Sequence, residues 1–341
     1  MTKLDFYRGV AVDRTRFAVL AASGGTANPF ARHTRIIVFD ASKRTWSILA
    51  ERNWFGTAIT RYEPTAESTS LAVLSEDGDV FLSSKPDRDE RVATGPLPPM
   101  NGLGQVDDAL YVTGSVGAHF RRDKSGTWRP LLPEAYDIDY LQLGPVERAM
   151  RVMGLETIDE YDAMSFEAEM ESFRRTTKYE TPFFAVAGTA ADRVILAGRD
   201  GAILKFDGQS FTELAAPSSS TLVAARVDSG TGDIYLAGGN KGSVLVRIDA
   251  SDQIETLLKG PEGGVWIDSF TLFRDEIIAG DPHQSTGGLY RYIDGGLERM
   301  DTVSNPVLAT DSHDGVLWAM EERAIVWFDG ADWHRAESPY Q

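Results

Sequence analysis

A chain of 341 residues with 42% apolar and 25% charged residues has the material for a large globular core. Its 34 Lys plus Arg stand against 51 Asp plus Glu, a net charge of −17 that repels nucleic-acid backbones and anionic lipid and makes a basic protein the expected partner. Cysteine is absent, which removes disulfides, thiolate metal sites and cysteine nucleophiles together and suits a cytoplasmic setting. The opening MTKLDFYRGVAVDRTRF has no continuous apolar core and no small-residue cleavage site, so no signal peptide is expected. No run approaches the roughly 18 apolar residues of a membrane span.

From the first residues onward the chain repeats one pattern. An apolar segment (LDFYRGVAV) is followed by a dense apolar run, FAVLAA from Phe17. A second β-rich stretch, RIIVFDAS, leads to a turn, and a third, TWSIL, carries an aromatic. Equivalent dense runs begin at Leu71 (LAVLS), Leu110 (LYVTG), Val194 (VILAG), Ile234 (IYLAGG), Ile277 (IIAGD) and Val316 (VLWAM), at spacings of 54, 39, 84, 40, 43 and 39 residues. Four of the six lie near forty, the period of a four-stranded propeller blade. The apolar segments ahead of them are WFGTAITRY, NGLGQV, FFAVAGTA, TLVAARVD, GVWIDSFTL and NPVLAT, each read as an innermost strand. Asp-Gly, Gly-Gly and Asp-Ala-Ser between the later stretches are hairpin turns, because Gly and Asp tolerate the positive φ these turns need. Seven such units predict an all-β, seven-bladed β-propeller of four-stranded blades, a single domain over 1–341. Stacking the blades in a ring buries their apolar faces. Neither terminus donates a strand to the other's blade in this reading, so closure is expected by face packing between the first and last blades. Two separate β-sandwiches are the rival architecture, disfavoured by the period.

Two interruptions depart from the repeat. ASGGTANPFARHTR, 22–35, lengthens the first unit's hairpin and reads as a loop carrying Phe30 and His33. Between the third and fourth units, 133–180 is expected to be an acidic helical insertion. Pro145 can open a short helix that Gly154 closes, and Thr157 with Glu160 forms a capping box for a second helix reaching about Phe173. Residues 133 to 172 hold eleven acids against Arg148 and Arg151, a local charge of −9, and Met150, Met153, Met164 and Met170 are four of the eight methionines. Acids steer a basic partner and thioethers repack against varied surfaces. The expected contact set is therefore Asp137, Asp139, Glu156, Asp159, Glu160, Asp162, Met164, Glu167, Met170 and Glu171. A helical lid whose outer face is merely solvated is the plainer alternative.

Chemistry-bearing motifs are sparse. The five histidines, His33, His119, His283, His313 and His334, fall on different units without paired metal-ligand spacing, and no metal or other cofactor is expected. GGNKGS, 238–243, and DSGTGD, 228–233, read as strand turns, lacking the helix of a phosphate loop and the spaced acids of a calcium loop. His313 reads as a solvated turn residue. Asp268 beside Trp266 in VWIDSF is the one acid singled out for a carbohydrate-cleaving alternative, set against a strand-end acid next to a core aromatic.

DRVILAGRDGAILKFDGQSFTEL and GVLWAMEERAIVWFDGADWHRA resemble the repeats of bacterial propellers of the photosystem-assembly-factor and BNR (Asp-box) type, well over 182–336 and loosely over 1–132. Asp123, Thr127 and Trp128, and likewise Asp40, Thr45 and Trp46, approach the Asp box with its spacing displaced by one. The Gly-His and Trp-Asp pairs of WD repeats are missing. The resemblance implies the propeller fold and leaves activity open. The leading expectation is a non-catalytic, cytoplasmic propeller that binds a basic protein through its acidic insertion, in the manner of a bacterial immunity protein masking a toxin. A propeller hydrolase or lyase and an assembly scaffold are the alternatives.

Overall fold

The computed structural model describes residues 4–23, 33–65, 68–95, 97–131, 150, 181–216 and 218–340. They form seven antiparallel sheets, each of four strands joined in sequence order. The innermost strands are Leu4–Ala11, Gly56–Thr65, Met100–Val106, Phe183–Ala190, Leu222–Val227, Ser269–Phe273 and Ala309–His313. Each packs against its neighbours around a central channel, blade one through blade seven.

The burial pattern explains why the second strand is the most legible part of every repeat. Ala109–Gly114 and Val316–Met320 are buried at every position, because both faces of that strand are covered by the adjoining blades, and the Thr113 hydroxyl among them has a buried partner in His119. The outermost strands face water on one side, as Phe211–Leu214 does with both central residues exposed. Apolar clusters span neighbouring blades. One joins Tyr62, Leu74 and Val80 of blade two to Met100, Val112 and Phe120 of blade three.

In five blades the turn between third and fourth strands is held by an aspartate that accepts the turn's own N–H groups: Asp40, Asp123, Asp207, Asp249 and Asp329. Its Oδ1 accepts backbone N–H groups two to four residues on, such as Ser210 to Asp207 at 2.7 Å and Asp332 to Asp329 at 3.0 Å. These bonds hold all five carboxyls below the usual carboxylate range. The leading donors are the backbone N–H groups of Ser210, Gln253 and Asp332 at Asp207, Asp249 and Asp329, and the hydroxyls of Ser125 and Ser42 at Asp123 and Asp40. Blade six instead uses Asp294 and Gly295, both at positive φ (46° and 83°), in a two-residue hairpin.

The ring closes without exchanging a strand: blade one is built wholly from the first described residues and blade seven wholly from the last. Leu4, Phe6, Phe17 and Phe39 interlock with Trp318, Met320 and Trp327 in one cluster, with Phe17 and Trp318 at 5.6 Å and Phe39 and Trp327 at 5.3 Å between ring centres. Backbone bonds Leu4 N–H to Tyr340 O (3.0 Å) and Phe6 N–H to Glu322 O (3.1 Å) stitch the seam.

Two expected strands are displaced. Innermost strands six and seven begin at Ser269 and Ala309, so most of GVWID and NPVL belongs to the connections ahead of them. Those connections are apolar because Ile267 (1% exposed) and Val307 (0%) plug the blade interface without joining a ladder. The inserted stretch lies between Pro130 and Phe183. Apart from Met150, its expected helices and its ten expected contact residues fall outside the described residues.

Candidate protein-binding face and central channel

Two chambers share the walls formed by Gly9, Ile59, Leu103, Val186, Ala225 and Arg226, and so form one channel through the ring. The larger, about 980 Å³, opens among the turns that join first to second strands; the smaller, about 170 Å³, opens where the chain enters the innermost strands. Gly104 sits on the channel wall because a side chain there would run into the next blade: an added Cβ would lie 2.6 Å from Val186 O.

Charges of alternating sign line the wide chamber. Arg61 pairs with Glu63 at 3.1 Å and donates to Ala11 O at 3.3 Å. Ala11 N–H donates to Asp311 Oδ2 at 2.9 Å, and Asp311 Oδ1 lies 3.6 Å from Arg226. This chain of contacts reaches from blade two through blades one and seven to blade five.

The narrow mouth is built differently. Arg8 of blade one reaches over blade seven to Asp268, 3.1 Å away on the approach to blade six. Beside it Tyr7 stacks on Phe55, ring centres 5.2 Å apart and 12° from parallel. Buried Thr34 fixes this corner: its hydroxyl bonds Tyr7 Oη (3.1 Å), donates to Trp54 O (2.8 Å) and accepts from Gly56 N–H (2.9 Å). Burial pushes the Tyr7 phenol up to about 12, so it stays a neutral partner at physiological pH. Phe55 and Trp266 are each 40% exposed. On the same side a groove of about 450 Å³ runs between blades six and seven, where nearly buried Glu321 accepts from Asn305 (2.9 Å) and from both terminal nitrogens of Arg335 (2.7 Å each).

The chain leaves the ring for both interruptions on this narrow-mouth side. The long hairpin joins the second and third strands of blade one, and the stretch after Pro130 leads into the innermost strand of blade four.

The histidines are scattered. His33 faces Asn53 at 3.4 Å; His283 bonds Ser285 at 2.9 Å; His334 pairs with Asp329 at 2.7 Å. His313 ends an innermost strand rather than occupying a turn, with Asp314 at 3.3 Å. His119 is buried between Phe183 and Phe211, its Nδ1 2.7 Å from Thr113 Oγ1, and burial pushes its imidazole down to about 3. Among the described residues no group of three or more His, Asp or Glu could hold a metal ion. Residues 228–233 form a turn closed by Asp228 N–H to Asp233 O (2.9 Å), and 238–243 join two strands of blade five. Trp266 is no core aromatic, and Asp268 stands ahead of its strand, tied to Arg8. Arg8, Arg226 and Asp311 escape sequence reading because only ring closure brings them together at the channel, and Tyr7 and Phe55 because their contact depends on how blades one and two pack.

No family model matches the chain. It is 22% identical over 323 residues to "Immune protein Tsi7" of Pseudomonas aeruginosa, covering 89% of this chain and 88% of that one. The WD40 β-propeller domain of Doa1 superposes with a TM-score of 0.59 at 10% identity, covering 94% of this chain and 91% of that one. The Cps50 (Swd1) propeller of Myceliophthora thermophila gives 0.54 at 10% identity, covering 93% and 96%. The extracellular domain of a one component system from B. thetaiotaomicron gives 0.59 at 12% identity over 95% of this chain, which spans only 38% of that longer one. At these identities the structural likeness establishes the fold: the chain is a seven-bladed β-propeller of four-stranded blades.

Proposed function

We propose that this chain is a non-catalytic, protein-binding propeller of the immunity type, which masks a basic toxin or effector in the cytoplasm. The carrying observation is the match to an immune protein, which spans nearly nine-tenths of both chains and so takes in most of the ring rather than one repeat. The net charge of −17 supports a basic partner, because opposite fields speed encounter and disfavour polyanions. The acidic stretch 133–180 supplies the recognition set in this reading, with Asp137, Asp139, Glu156, Asp159, Glu160, Asp162, Met164, Glu167, Met170 and Glu171 at the contact. Inserted segments on a rigid scaffold commonly carry function.

The test is deletion of residues 134–178 with a short Gly-Ser bridge. Co-expression with the product of the adjacent gene, the candidate toxin, reads protection, and far-UV circular dichroism reads the ring. The expected result is an intact β-signal with protection lost. Full protection by the folded, shortened chain overturns the role given to the insertion.

A further inference from the structure

Resting on that reading, we infer that the narrow-mouth face docks the basic protein partner, with Phe55 and Trp266 as its anchors on either side of the Arg8–Asp268 pair. Among the described residues five large apolar side chains stand out as exposed, and these two share one face. They are linked by contact: Phe55 stacks on Tyr7, Arg8 follows Tyr7 and reaches Asp268, and Trp266 precedes Asp268 by two residues. The line crosses the channel mouth from the blade one–two connection to the blade five–six connection.

Phe55 is exposed yet held. The Thr34 hydroxyl grips the residues on both sides of it, and an added Cβ on Gly56 would meet Leu20 at 3.0 Å, so the loop has little room to move. Phe55 stacks on Tyr7 yet keeps 40% of its surface exposed, and an aromatic held in this way loses little entropy on binding, the character of an interface anchor. The turn aspartates of the opposite face have a folding task of their own, since their oxygens already accept turn N–H groups.

Charge selects the occupant. A second copy would bring −17 against −17, and an anionic membrane or nucleic acid is repelled likewise. Glu262, Asp268, Glu76 and Glu322 share this rim with Arg8, Arg323 and Arg335, and Asp268 and Glu322 pair with Arg8 and Arg323. The net charge of the whole chain, rather than a rim of one sign, favours a basic protein here.

The experiment uses the full chain and, as probe, the product of the gene adjacent to its own, taken as the candidate effector and rendered inactive. Binding is read by calorimetry for the wild type, Phe55→Ala, Trp266→Ala and the control Ile293→Ser, another exposed apolar residue at the far end of a blade-six strand. Thermal melts confirm folding. We expect Kd to rise about 30-fold for each anchor variant, the effect of losing an interface hot spot, and to change less than about twofold for the control. Tight wild-type binding with both anchor variants within about twofold overturns this face alone and leaves the immunity reading standing. Absence of wild-type binding overturns both. A dimer in sedimentation that Trp266→Ala dissolves would assign the face to self-association and also overturn the proposal.

Discussion

His119 shows how one buried side chain sets a pH response. Its ordinary value is 6.5 and burial lowers it to about 3, so between those values the unfolded chain binds a proton that the folded one refuses. Stability is therefore fully present above about 6.5 and declines as pH falls toward 3, with a limiting slope of about 1.4 kcal/mol per pH unit from this group. The turn aspartates act in a lower window. Their depressed carboxyls stabilise the fold above the unfolded value of 3.8, and that contribution is lost as pH falls through their folded values. The range between about pH 7 and pH 5 thus separates the histidine from these aspartates, and comparison with a His119 variant separates it from the other histidines. His119→Asn places an amide near the Nδ1 position, keeps a partner for Thr113 and cannot titrate. Urea unfolding at about pH 7, 6 and 5 is expected to show the wild type losing stability more steeply than the variant, whatever constant offset the smaller side chain brings. Parallel curves would remove His119 from the account.

Between neighbouring strands, the bond joining blades two and three is partly ionic. Arg122 makes two hydrogen bonds to Glu90 (2.7 and 2.6 Å) and one to Tyr62 Oη (3.3 Å), while Trp128 Nε1 donates to Glu90 at 3.0 Å. The two side chains are only 8% and 16% exposed, so removing one strands the other away from water. Arg122→Met is expected to cost about 3–5 kcal/mol, and the double variant Arg122→Met/Glu90→Gln to recover part of that loss in chemical denaturation. A double variant as unstable as the sum of its parts would show that the pair contributes packing rather than charge. This clamp was not legible in the sequence: Glu90 and Arg122 lie on different repeats, and their register depends on how adjacent sheets twist. The strands themselves were legible, because a run buried on both faces must be continuously apolar. The misplaced starts at Ser269 and Ala309 follow from the same rule, since Ile267 and Val307 fill a core from outside any ladder and read like strand residues.

The ring as a whole was legible from its period, and so was closure by face packing, since no fourth-strand fragment was left over at either end of the repeat series. The channel and its mouth were not, because Arg8 and Asp268 are 260 residues apart and meet only after seven blades have turned full circle. Closure by packing has a mechanical consequence. Every other blade interface is spanned by a covalent connection, such as the one from Arg91 to Met100 between blades two and three, but the seam between blades one and seven is held only by noncovalent contacts. Phe17 and Phe120 are both fully buried, the first at the seam and the second at the blade two–three interface. Either change to Ala is expected to cost about 3–5 kcal/mol, yet their partly unfolded states should differ. At the seam, loss of packing lets blades one and seven swing apart with no tether. Hydrogen exchange should then rise together in Leu4–Ala11 and Ala309–His313, and small-angle scattering in mild denaturant should report an expanded, opened ring. For Phe120→Ala the connecting loop keeps the interface close, and enhanced exchange should stay within blades two and three without expansion. Identical exchange patterns in the two variants would mean that the seam is as secure as a covalently bridged interface, and that the five buried aromatics packed across it carry no special burden in keeping the ring shut.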